Sequence, residues 1–341
     1  MDLNDKVVLI TGGTGSFGNK FVETVLHRWH PKKLIILSRD ELKQHEMQQR
    51  FDHPSLRFFL GDIRDRDRLL RAFQGVDYVV HAAALKQVPA AEYNPFEAVK
   101  TNILGGQNIV DAAIDSGVKR VIALSTDKAV NPVNLYGATK LCMEKLLIQG
   151  NSYAGSDGTK FSVVRYGNVV GSRGSVIPIF WQQRLSGRLT VTDPRMTRFW
   201  LTLDRGVDFV LRGLEKMHGG EIFVPKIPTM GIMDLVEAIA ADCQIECTGI
   251  RPGEKLHEVM VSADESRLVR EFDDMFVIQP AHVWWTTERA WDGGASVPTG
   301  FTYSSETNPW KLTSSELREM VESLGLPKIV SETRRALATV A

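Results

Sequence analysis

The fold of this 341-residue chain is decided by the stretch Val7-Val8-Leu9-Ile10-Thr11-Gly12-Gly13-Thr14-Gly15-Ser16-Phe17-Gly18. Its first four residues form an apolar run that is typical of a strand buried on both faces. A helical pattern follows the stretch. Glycines at positions 12, 15 and 18 permit a tight turn, a close backbone approach to a pyrophosphate and close helix–strand packing, and the helix N–H groups attract the anion. The stretch therefore predicts a dinucleotide-binding turn, in which Thr14, Ser16 and Phe17 also contact the cofactor.

The residues at the end of the next apolar strand help to distinguish between NAD and NADP as the bound dinucleotide. This strand, residues 34–37, is followed by Ser38, Arg39 and Asp40. Roughly 20 residues past the last glycine, an acidic residue would hold a ribose 2′-hydroxyl, whereas an arginine accommodates a 2′-phosphate. Arg39, together with Ser38 and with Lys43 one helical turn further on, favours NADP over NAD. Asp40 keeps NAD open, because it could touch the ribose or cap the following helix.

Two further strand ends complete the predicted cofactor site. Asp62 and Ile63 follow the apolar run at residues 56–60 and are expected beside the adenine. Ala82 and Ala84 follow the strand that ends at His81, where small side chains let the backbone approach the cofactor. We interpret His81 itself as a core histidine. Because strands alternate with helical segments, we expect an α/β protein with a parallel, doubly wound sheet.

Composition excludes several classes of function. Lys plus Arg and Asp plus Glu both number 41, so the net charge is zero and the electrostatic footprint of a nucleic-acid or membrane-surface binder is missing. No apolar run approaches the roughly 20 residues that span a bilayer. The sparse cysteines fit a reducing compartment, so we expect a cytoplasmic protein. Cys243 and Cys247 stand at helical spacing, and we interpret them as small buried residues and expect no metal.

The stretch Ser125–Lys140 carries the predicted chemistry. An apolar strand at residues 121–124 ends directly before Asp127 and Lys128, and a helix is expected to open near Tyr136. Tyr136 and Lys140, four residues apart, share one face of that helix. A tyrosine with the ordinary pKa of about 10 is a poor base at neutral pH. The Lys140 ammonium and an oxidised nicotinamide would both lower that pKa, and Lys140 could also hold the nicotinamide ribose.

Together these segments resemble the extended short-chain dehydrogenase/reductase family over most of the chain. The resemblance is closest to the inverting UDP-N-acetylglucosamine 4,6-dehydratases, which open the pathway to pseudaminic acid. The matching segments after the glycine turn are 38–44, 125–140, 165–175, 196–200 and 253–258. Gln87 departs from the pattern, since family members often carry His there. The resemblance implies a Rossmann sheet with a smaller C-terminal substrate-binding α/β subdomain, NADP as cofactor, UDP-N-acetylglucosamine as substrate and a homo-oligomer.

The resemblance also implies a reaction. Tyr136, as phenolate, takes the proton of the sugar 4-hydroxyl while C4 gives a hydride to NADP⁺, and the resulting ketone acidifies the C5 proton. Lys128 removes that proton, and Asp127 acts as the acid when the 6-hydroxyl leaves as water. Dehydratases that retain the C5 configuration carry Asp-Glu at this place, so Asp127-Lys128 resembles the inverting group. Because the hydride returns to C6, the enzyme would be a lyase that does not consume its cofactor.

Residues for the nucleotide sugar are drawn from the second half of the chain. By resemblance, Asn168 contacts the substrate and Val169 lies near the nicotinamide, while Lys86 serves both ligands. Guanidinium groups bind a pyrophosphate bidentately, which makes Arg251 the best candidate, with Glu254 on the ribose hydroxyls. The other expected substrate contacts are Arg173, Gly174, Ser175, Val176 and Ile177 in a loop that approaches the diphosphate, Val191 in a strand that could pair with uracil, and Thr197.

The expected organisation is an NADP-binding Rossmann domain at residues 1–172, completed by a later strand near 221–226. A nucleotide-sugar-binding subdomain at 173–280 and a C-terminal extension at 281–341 follow. Three other functions remain open. They are a retaining 4,6-dehydratase or 4-epimerase on the same scaffold, a catalytically silent NADP-sensing regulator, and a net oxidoreductase that would accumulate NADPH.

Overall fold

The computed structural model describes residues 1–171, 175–285 and 293–325. The described strands are β1 (Val7–Thr11), β2 (Lys33–Ser38), β3 (Leu56–Leu60), β4 (Tyr78–His81), β5 (Arg120–Leu124), β6 (Lys160–Val164), β7 (Asn168–Val169), β8 (Arg188–Val191), β9 (Thr197–Leu201), β10 (Ile222–Pro225), β11 (Thr229–Gly231), β12 (Gln244–Cys247), β13 (Val259–Val261), β14 (Val269–Glu271), β15 (Met275–Ile278), β16 (Ala295–Ser296) and β17 (Tyr303–Ser304).

The described α-helices are α1 (Ser16–Arg28), α2 (Glu41–Phe51), α3 (Arg66–Ala72), α4 (Val88–Tyr93), α5 (Pro95–Ala98), α6 (Gly105–Asp115), α7 (Leu135–Ala154), α8 (Val176–Gln183), α9 (Leu203–Lys216), α10 (Ile232–Ala240) and α11 (Ser314–Glu322). A π-helical segment covers Val99–Leu104, and short 3₁₀ turns cover Asp127–Ala129, Arg184–Ser186 and Ala263–Leu268.

The chain folds as two compact units. The first unit consists of Met1–Tyr166, Leu203–Lys226 and Met260–Thr302. The second contains the described residues of Gly167–Thr202, Ile227–Val259 and Tyr303–Ala341. Each unit is thus assembled from segments far apart in sequence.

A ten-stranded sheet forms the centre of the first unit. Its strand order is β16-β14-β15-β10-β6-β5-β4-β1-β2-β3. The seven strands from β10 to β3 are parallel to their neighbours, and β15, β14 and β16 add an antiparallel edge. Strand order reverses between β1 and β4, as in dinucleotide-binding sheets, so the predicted doubly wound α/β fold is confirmed. The strand predicted near 221–226 is β10, beside β6.

Burial explains why the central strands carry uninterrupted apolar runs. All five residues of β1 are buried, and so are the last four of β5. Helices α1 and α9 pack together, and α6 packs between α3 and α7. Strands covered by helices on both faces have no solvent side, so the alternation of apolar and polar residues disappears.

The helical stretch from Pro95 to Asp115 is interrupted by a π-helical segment. It begins with Pro95, passes through the π-helical segment and resumes at Gly105. Within that segment the Asn102 amide donates to the Leu85 carbonyl oxygen at 2.9 Å and accepts from the Leu85 N–H at 2.8 Å. A π-helical turn commonly marks a functional position, and here it fixes the loop that follows β4.

The second unit has its own apolar core. The core joins α8, α10 and α11 to the strands β8, β9 and β11, with Trp200 and Met230 fully buried. Leu317 and Val321 of α11 belong to this core, so helix α11 is an integral part of the second unit. Helix α10 ends at Ala240, so neither Cys243 nor Cys247 lies on it. Cys247 is exposed on β12, and Cys243 is half-buried. The interpretation of Cys247 as a buried helical residue is therefore wrong.

Within the described ranges, no helix is both long enough and apolar enough to cross a membrane. The same residues contain no group of three or more His, Cys, Asp or Glu side chains that could hold a metal ion.

Candidate active site

The glycine turn lies between β1 and α1, as its sequence predicts. Gly12 has φ +66°, and a Cβ there would come within 2.9 Å of the Ala83 Cα. A Cβ on Gly18 would overlap the Gly13 carbonyl oxygen, so only glycine lets the helix pack this closely. Gly15 is the N-cap of α1 and brings no capping side chain to the first N–H groups of the helix. The turn therefore fits a pyrophosphate bound by backbone N–H groups.

At the end of β2, two cations and one carboxylate face solvent. The Asp40 carboxylate accepts from the Lys43 N–H at 3.0 Å and pairs with the Lys43 ammonium at 2.5 Å, which holds its pKa below the ordinary value. Asp40 is thus the N-cap of α2. The Arg39 side chain is 52 % exposed and lies 3.4 Å from Asp62. Ser38 is buried, and its hydroxyl accepts from the Gln44 amide.

The ends of β3 and β4 flank the turn. Partial burial opposes ionisation of Asp62, yet hydrogen bonds from Arg64 bring its pKa below the ordinary value. Ile63 is buried. The Ala82 N–H donates to the Thr11 hydroxyl at 3.2 Å, which ties this strand end to β1, and Ala84 follows half-buried.

His81 is a buried core residue. Its Nδ1 lies 2.8 Å from the Thr11 hydroxyl oxygen. Burial, assisted by the charge of Lys140, lowers its pKa to about 3, so the imidazole is neutral at working pH.

The predicted catalytic residues meet at the carboxyl end of β5. The strand leads through Thr126 into the turn Asp127–Ala129, and α7 begins at Leu135 after Asn134, whose side chain accepts from the Gly137 N–H at 2.8 Å. A Cβ on Gly137 would overlap the Lys128 carbonyl oxygen. The glycine therefore lets the first turn of the helix lie directly against the Asp127-Lys128 segment.

Asp127 and Lys128 form an ion pair of unequal exposure. The Lys128 ammonium lies 3.1 Å from the Asp127 Oδ1 atom, and the side chains are 25 % and 1 % exposed. Asp127 Oδ1 also accepts from the Thr126 hydroxyl at 2.8 Å. The buried Oδ2 atom has no hydrogen-bond partner among the described residues. A carboxylate with one bound oxygen and one unsatisfied oxygen can carry a proton on the second, which suits an acid.

Thr126 is a further candidate site residue that the sequence analysis did not name. Its side chain is hydrogen-bonded to Tyr136 as well as to Asp127, so it connects the phenol with the carboxylate. A signal existed in its position, since it immediately precedes Asp127 at the end of a buried strand. Its partners could be known only once β5 and α7 had been placed together.

The electrostatics of Tyr136 differ from the expectation. Burial raises the pKa of its phenol to about 12, while the Lys128 charge and the Thr126 hydrogen bond act in the opposite direction. The Lys140 ammonium is directed elsewhere, since it donates to the Leu124 carbonyl oxygen at 2.6 Å and contacts the Met143 sulfur at 3.2 Å. Burial lowers the pKa of Lys140 to about 8, and Glu144 opposes this fall.

Lys86 belongs to the same neighbourhood. It follows β4 in the loop held by Asn102, and partial desolvation together with the Lys128 charge lowers its pKa. The Lys86 and Lys128 ammonium groups are therefore near enough to repel one another.

The predicted substrate residues lie in the second unit, except Lys86. Asn168 and Val169 form β7, Ser175 is the N-cap of α8, and Val176 begins that helix. Ile177 and Val191 are core residues, and the Val191 carbonyl accepts from the Thr248 N–H at 2.9 Å because β8 pairs with β12. The predictions for Arg173 and Gly174 fall outside the described residues.

The remaining substrate candidates have partners within the second unit. Thr197 Oγ1 lies 2.8 Å from both His257 Nδ1 and Ser305 Oγ. The exposed Arg251 is paired with Glu254 at 3.2 Å, in the loop after β12. A guanidinium has five N–H donors, so one that is paired with a carboxylate on the surface keeps donors for an anionic ligand.

The fold and the residues of the first unit define a Rossmann-type, dinucleotide-binding protein. The profile of the polysaccharide biosynthesis protein family matches residues 8–280. The chain belongs to this family, a branch of the extended short-chain dehydrogenases/reductases, as the sequence motifs predict.

Two curated relatives carry different activities in their names. The UDP-N-acetylglucosamine 4,6-dehydratase (inverting) of Campylobacter jejuni serotype O:2 is 52 % identical over 93 % of this chain and 98 % of its own length. The UDP-glucose 4-epimerase of Rickettsia conorii is 45 % identical over 80 % of this chain and 83 % of its own length.

Solved structures agree on the fold. The X-ray structure of Pen from Bacillus thuringiensis matches with a TM-score of 0.88 and 39 % identity, covering 96 % of this chain and 100 % of that one. The UDP-glucose 4-epimerase of Thermus thermophilus in complex with NAD matches with a TM-score of 0.60 and 25 % identity, covering 72 % and 88 %.

Proposed function

We propose that this chain is an inverting UDP-N-acetylglucosamine 4,6-dehydratase, a hydro-lyase that forms UDP-2-acetamido-2,6-dideoxy-β-L-arabino-hex-4-ulose. The observation that carries the proposal is the Asp127–Lys128 pair, 3.1 Å apart, beside Tyr136 at the carboxyl end of β5. The pair has a lysine at the place where dehydratases that retain the C5 configuration carry a glutamate. The relatives named as inverting dehydratases, 52 % identical over nearly their whole length, support the same activity.

Each of three side chains carries out one proton transfer. Tyr136 takes the proton of the sugar 4-hydroxyl, Lys128 removes the C5 proton of the ketone, and Asp127 gives a proton to the 6-hydroxyl, which leaves as water. NADP⁺, when bound, would supply the hydride chemistry at C4 and C6. A proton derived from solvent would then be added to C5 on the opposite face, which inverts that centre, while Lys128 releases the original proton to solvent. The sum is loss of water without net oxidation.

This scheme needs Lys128 and Asp127 in protonation states opposite to those of an ordinary ion pair. Lys128 must be neutral to act as a base, and Asp127 must hold a proton to act as an acid. The like charges of Lys86 and Lys128 repel one another, and this repulsion contributes to the lowered pKa of Lys86. The unsatisfied Oδ2 atom of Asp127 is a place for the acidic proton. A proton that moves from Lys128 to Asp127 travels only a short distance, because the two groups are already in contact.

We propose NADP rather than NAD as the cofactor. Arg39 and Lys43 place two exposed positive charges at the end of β2, where a 2′-phosphate would be bound. The Asp40 carboxylate is engaged by Lys43 and by the N-terminus of α2, so it is less suited to grip ribose hydroxyls. The glycine turn, Ser38, Asp62, Ile63, Ala82, Ala84, Lys86, Lys140 and Val169 would complete the cofactor site.

For the nucleotide sugar, the proposal assigns Arg251 to the pyrophosphate and Glu254 to the uridine ribose. The exposure of Arg251 and its position beside Glu254 support this assignment. The backbone of residues 173–177, together with Asn168, Val191 and Thr197, would complete the contacts.

The reaction is tested by incubating the purified protein with NADP⁺ and UDP-N-acetylglucosamine and following the product by proton NMR. We expect a methyl group at C6, a ketone at C4 and no accumulation of NADPH. Continuous NADPH formation would indicate a net oxidoreductase, and an unchanged sugar would indicate a silent regulator.

A UDP-sugar 4-epimerase is the second candidate, because relatives with that name reach 45 % identity. An epimerase needs no base for C5 and no acid for the 6-hydroxyl, so Asp127 and Lys128 would have no role in it. A product that retains its 6-hydroxyl and differs only at C4 would establish the epimerase.

The wider setting is part of the proposal. A 6-deoxy-4-keto sugar with an inverted C5 is suited to be the first intermediate of pseudaminic acid biosynthesis. We also propose a cytoplasmic homo-oligomer, for which the exposed Trp284 offers an apolar contact.

A further inference from the structure

A buried carboxylate lies on the catalytic helix and takes no part in the proposed chemistry. Tyr136, Lys140 and Glu144 follow one another at intervals of four residues on α7, so they share one face. Glu144 is 0 % exposed. Its Oε1 atom accepts from the Ser125 hydroxyl at 2.5 Å and from the Arg165 Nε at 3.0 Å, and its Oε2 accepts from Arg165 Nη2 at 2.8 Å.

The guanidinium that Glu144 binds is itself buried and fully engaged. Arg165 follows β6, is 1 % exposed and donates to both Glu265 oxygens at 2.9 and 3.1 Å and to the Met260 carbonyl oxygen at 3.0 Å. Although burial opposes its charge, the two carboxylates hold its pKa above the ordinary value. One carboxylate on α7 therefore binds the residues that follow both β5 and β6.

We propose that Glu144 is a positioning residue for the reaction. Its carboxylate locks the catalytic helix to the carboxyl ends of β5 and β6 through Ser125 and Arg165, and keeps the neighbouring Lys140 side chain in its ammonium form. The inference rests on the proposed function, in which Lys140 acts as a cation toward the dinucleotide. The effect on Lys140 separates this role from a structural one, because a purely structural carboxylate would leave the charge of Lys140 unchanged.

Among the groups around Lys140, Glu144 is the carboxylate that favours the ammonium form of this lysine. Burial lowers the pKa of this lysine to about 8, and Glu144 is the charge that opposes the fall. Titratable and charged groups on the elements around this helix face are His81 on β4, Asp127 and Lys128 after β5, Tyr136 and Glu144 on α7, and Arg165 and Tyr166 after β6. His81 is neutral, and Asp127 is already paired with Lys128.

The test compares Glu144→Gln with a matched control, Glu221→Gln. Glu221 is also buried and also accepts a 2.5 Å hydrogen bond from a serine, Ser162, and its carboxylate accepts from the His218 and Gly219 N–H groups as well. Both changes remove a buried charge from the first unit. For each variant, the dissociation constant of NADP⁺ and the turnover of UDP-N-acetylglucosamine are measured from pH 6 to 9, with the melting temperature as a control for folding.

For wild type, binding of NADP⁺ should weaken as the pH rises through about 8, where Lys140 loses its proton. Glu144→Gln should move this fall to lower pH by about one unit or more, because the charge that favours the ammonium is gone. Glu221→Gln should lower the melting temperature without moving the fall. The proposal would be overturned if folded Glu144→Gln kept the wild-type pH profile, or if Glu144→Gln and Glu221→Gln shifted the profile equally.

Two more variants keep the test decisive if Glu144→Gln does not fold. Glu144→Asp retains the charge, so its pH profile should stay at the wild-type position while turnover drops, because the shorter side chain pulls on Ser125 and Arg165. Ser125→Ala should behave likewise. A profile that Glu144→Asp moves to lower pH by about one unit or more, although the charge is retained, would refute the role. If wild type binds NADP⁺ but leaves the sugar unchanged, the proposed function fails while the binding profile still decides the role of Glu144.

Discussion

Replacing Thr126 by valine removes the hydroxyl that joins the phenol of Tyr136 to the carboxylate of Asp127. The Thr126 hydroxyl donates to Asp127 Oδ1 at 2.8 Å and is also hydrogen-bonded to Tyr136. A hydroxyl has a single proton, so it cannot donate to both oxygens at once. When Tyr136 ionises, this proton must turn toward the phenolate. Valine has the same shape and cannot make that hydrogen bond.

The size of the effect follows from the buried state of Tyr136. Its pKa of about 12 in the protein must fall before the phenolate can form near neutral pH. A hydrogen bond to a charged group is worth about 1.5–3 kcal/mol, so its loss should reduce turnover by roughly 10- to 150-fold. The same loss should raise the pH at which activity appears by about one to two units. Binding of UDP-N-acetylglucosamine should change little.

The assay is the rate of keto-sugar formation as a function of pH, with Thr126→Ser as the matched control. Serine retains the hydroxyl and should keep most of the activity. Thr126→Val within about threefold of wild type would refute the link between Thr126 and Tyr136. So would a folded Thr126→Ser variant that is as slow as the valine variant.

Three further changes test other parts of the account. Lys128→Ala should slow exchange of the C5 proton by about 10²- to 10⁴-fold while NADP⁺ still binds, and near wild-type exchange in a deuterated-solvent NMR assay would contradict the assigned base. Arg39→Ala should weaken NADP⁺ roughly 10- to 100-fold by titration and leave NAD⁺ binding nearly unchanged; equal losses for both would argue against 2′-phosphate recognition. Gly18→Ala should destabilise the protein by about 1–3 kcal/mol in chemical denaturation, because its methyl group overlaps the Gly13 carbonyl oxygen, and unchanged stability would mean that α1 can shift.

The sequence was sufficient for the parts of the fold that depend on local pattern. The apolar run of β1, the glycines after it and the helix that begins at Leu135 are each readable from neighbouring residues. Both the doubly wound sheet and the family follow from them. The return of the strand near 221–226 was predicted, but the inclusion of Met260–Thr302 in the first unit was not, because it depends on contacts distant in sequence.

The site shows the same division. The spacing of Tyr136 and Lys140 fixes the helix face that they share, but it does not fix where the longer side chain points. Lys140 reaches back to the Leu124 carbonyl oxygen, and Lys128 is the ammonium that acts on the phenol. Partners such as Thr126 and Glu144 become visible only when α7 lies against the end of β5.

The assignment of Lys128 as the base on an inverted centre is tested most directly by the product formed in deuterated water. Its C5 configuration and deuterium content can be read from one NMR spectrum. The account predicts one solvent deuterium at C5 in the arabino configuration. A product that keeps the gluco configuration at C5, or one in which C5 carries its original hydrogen, would contradict it.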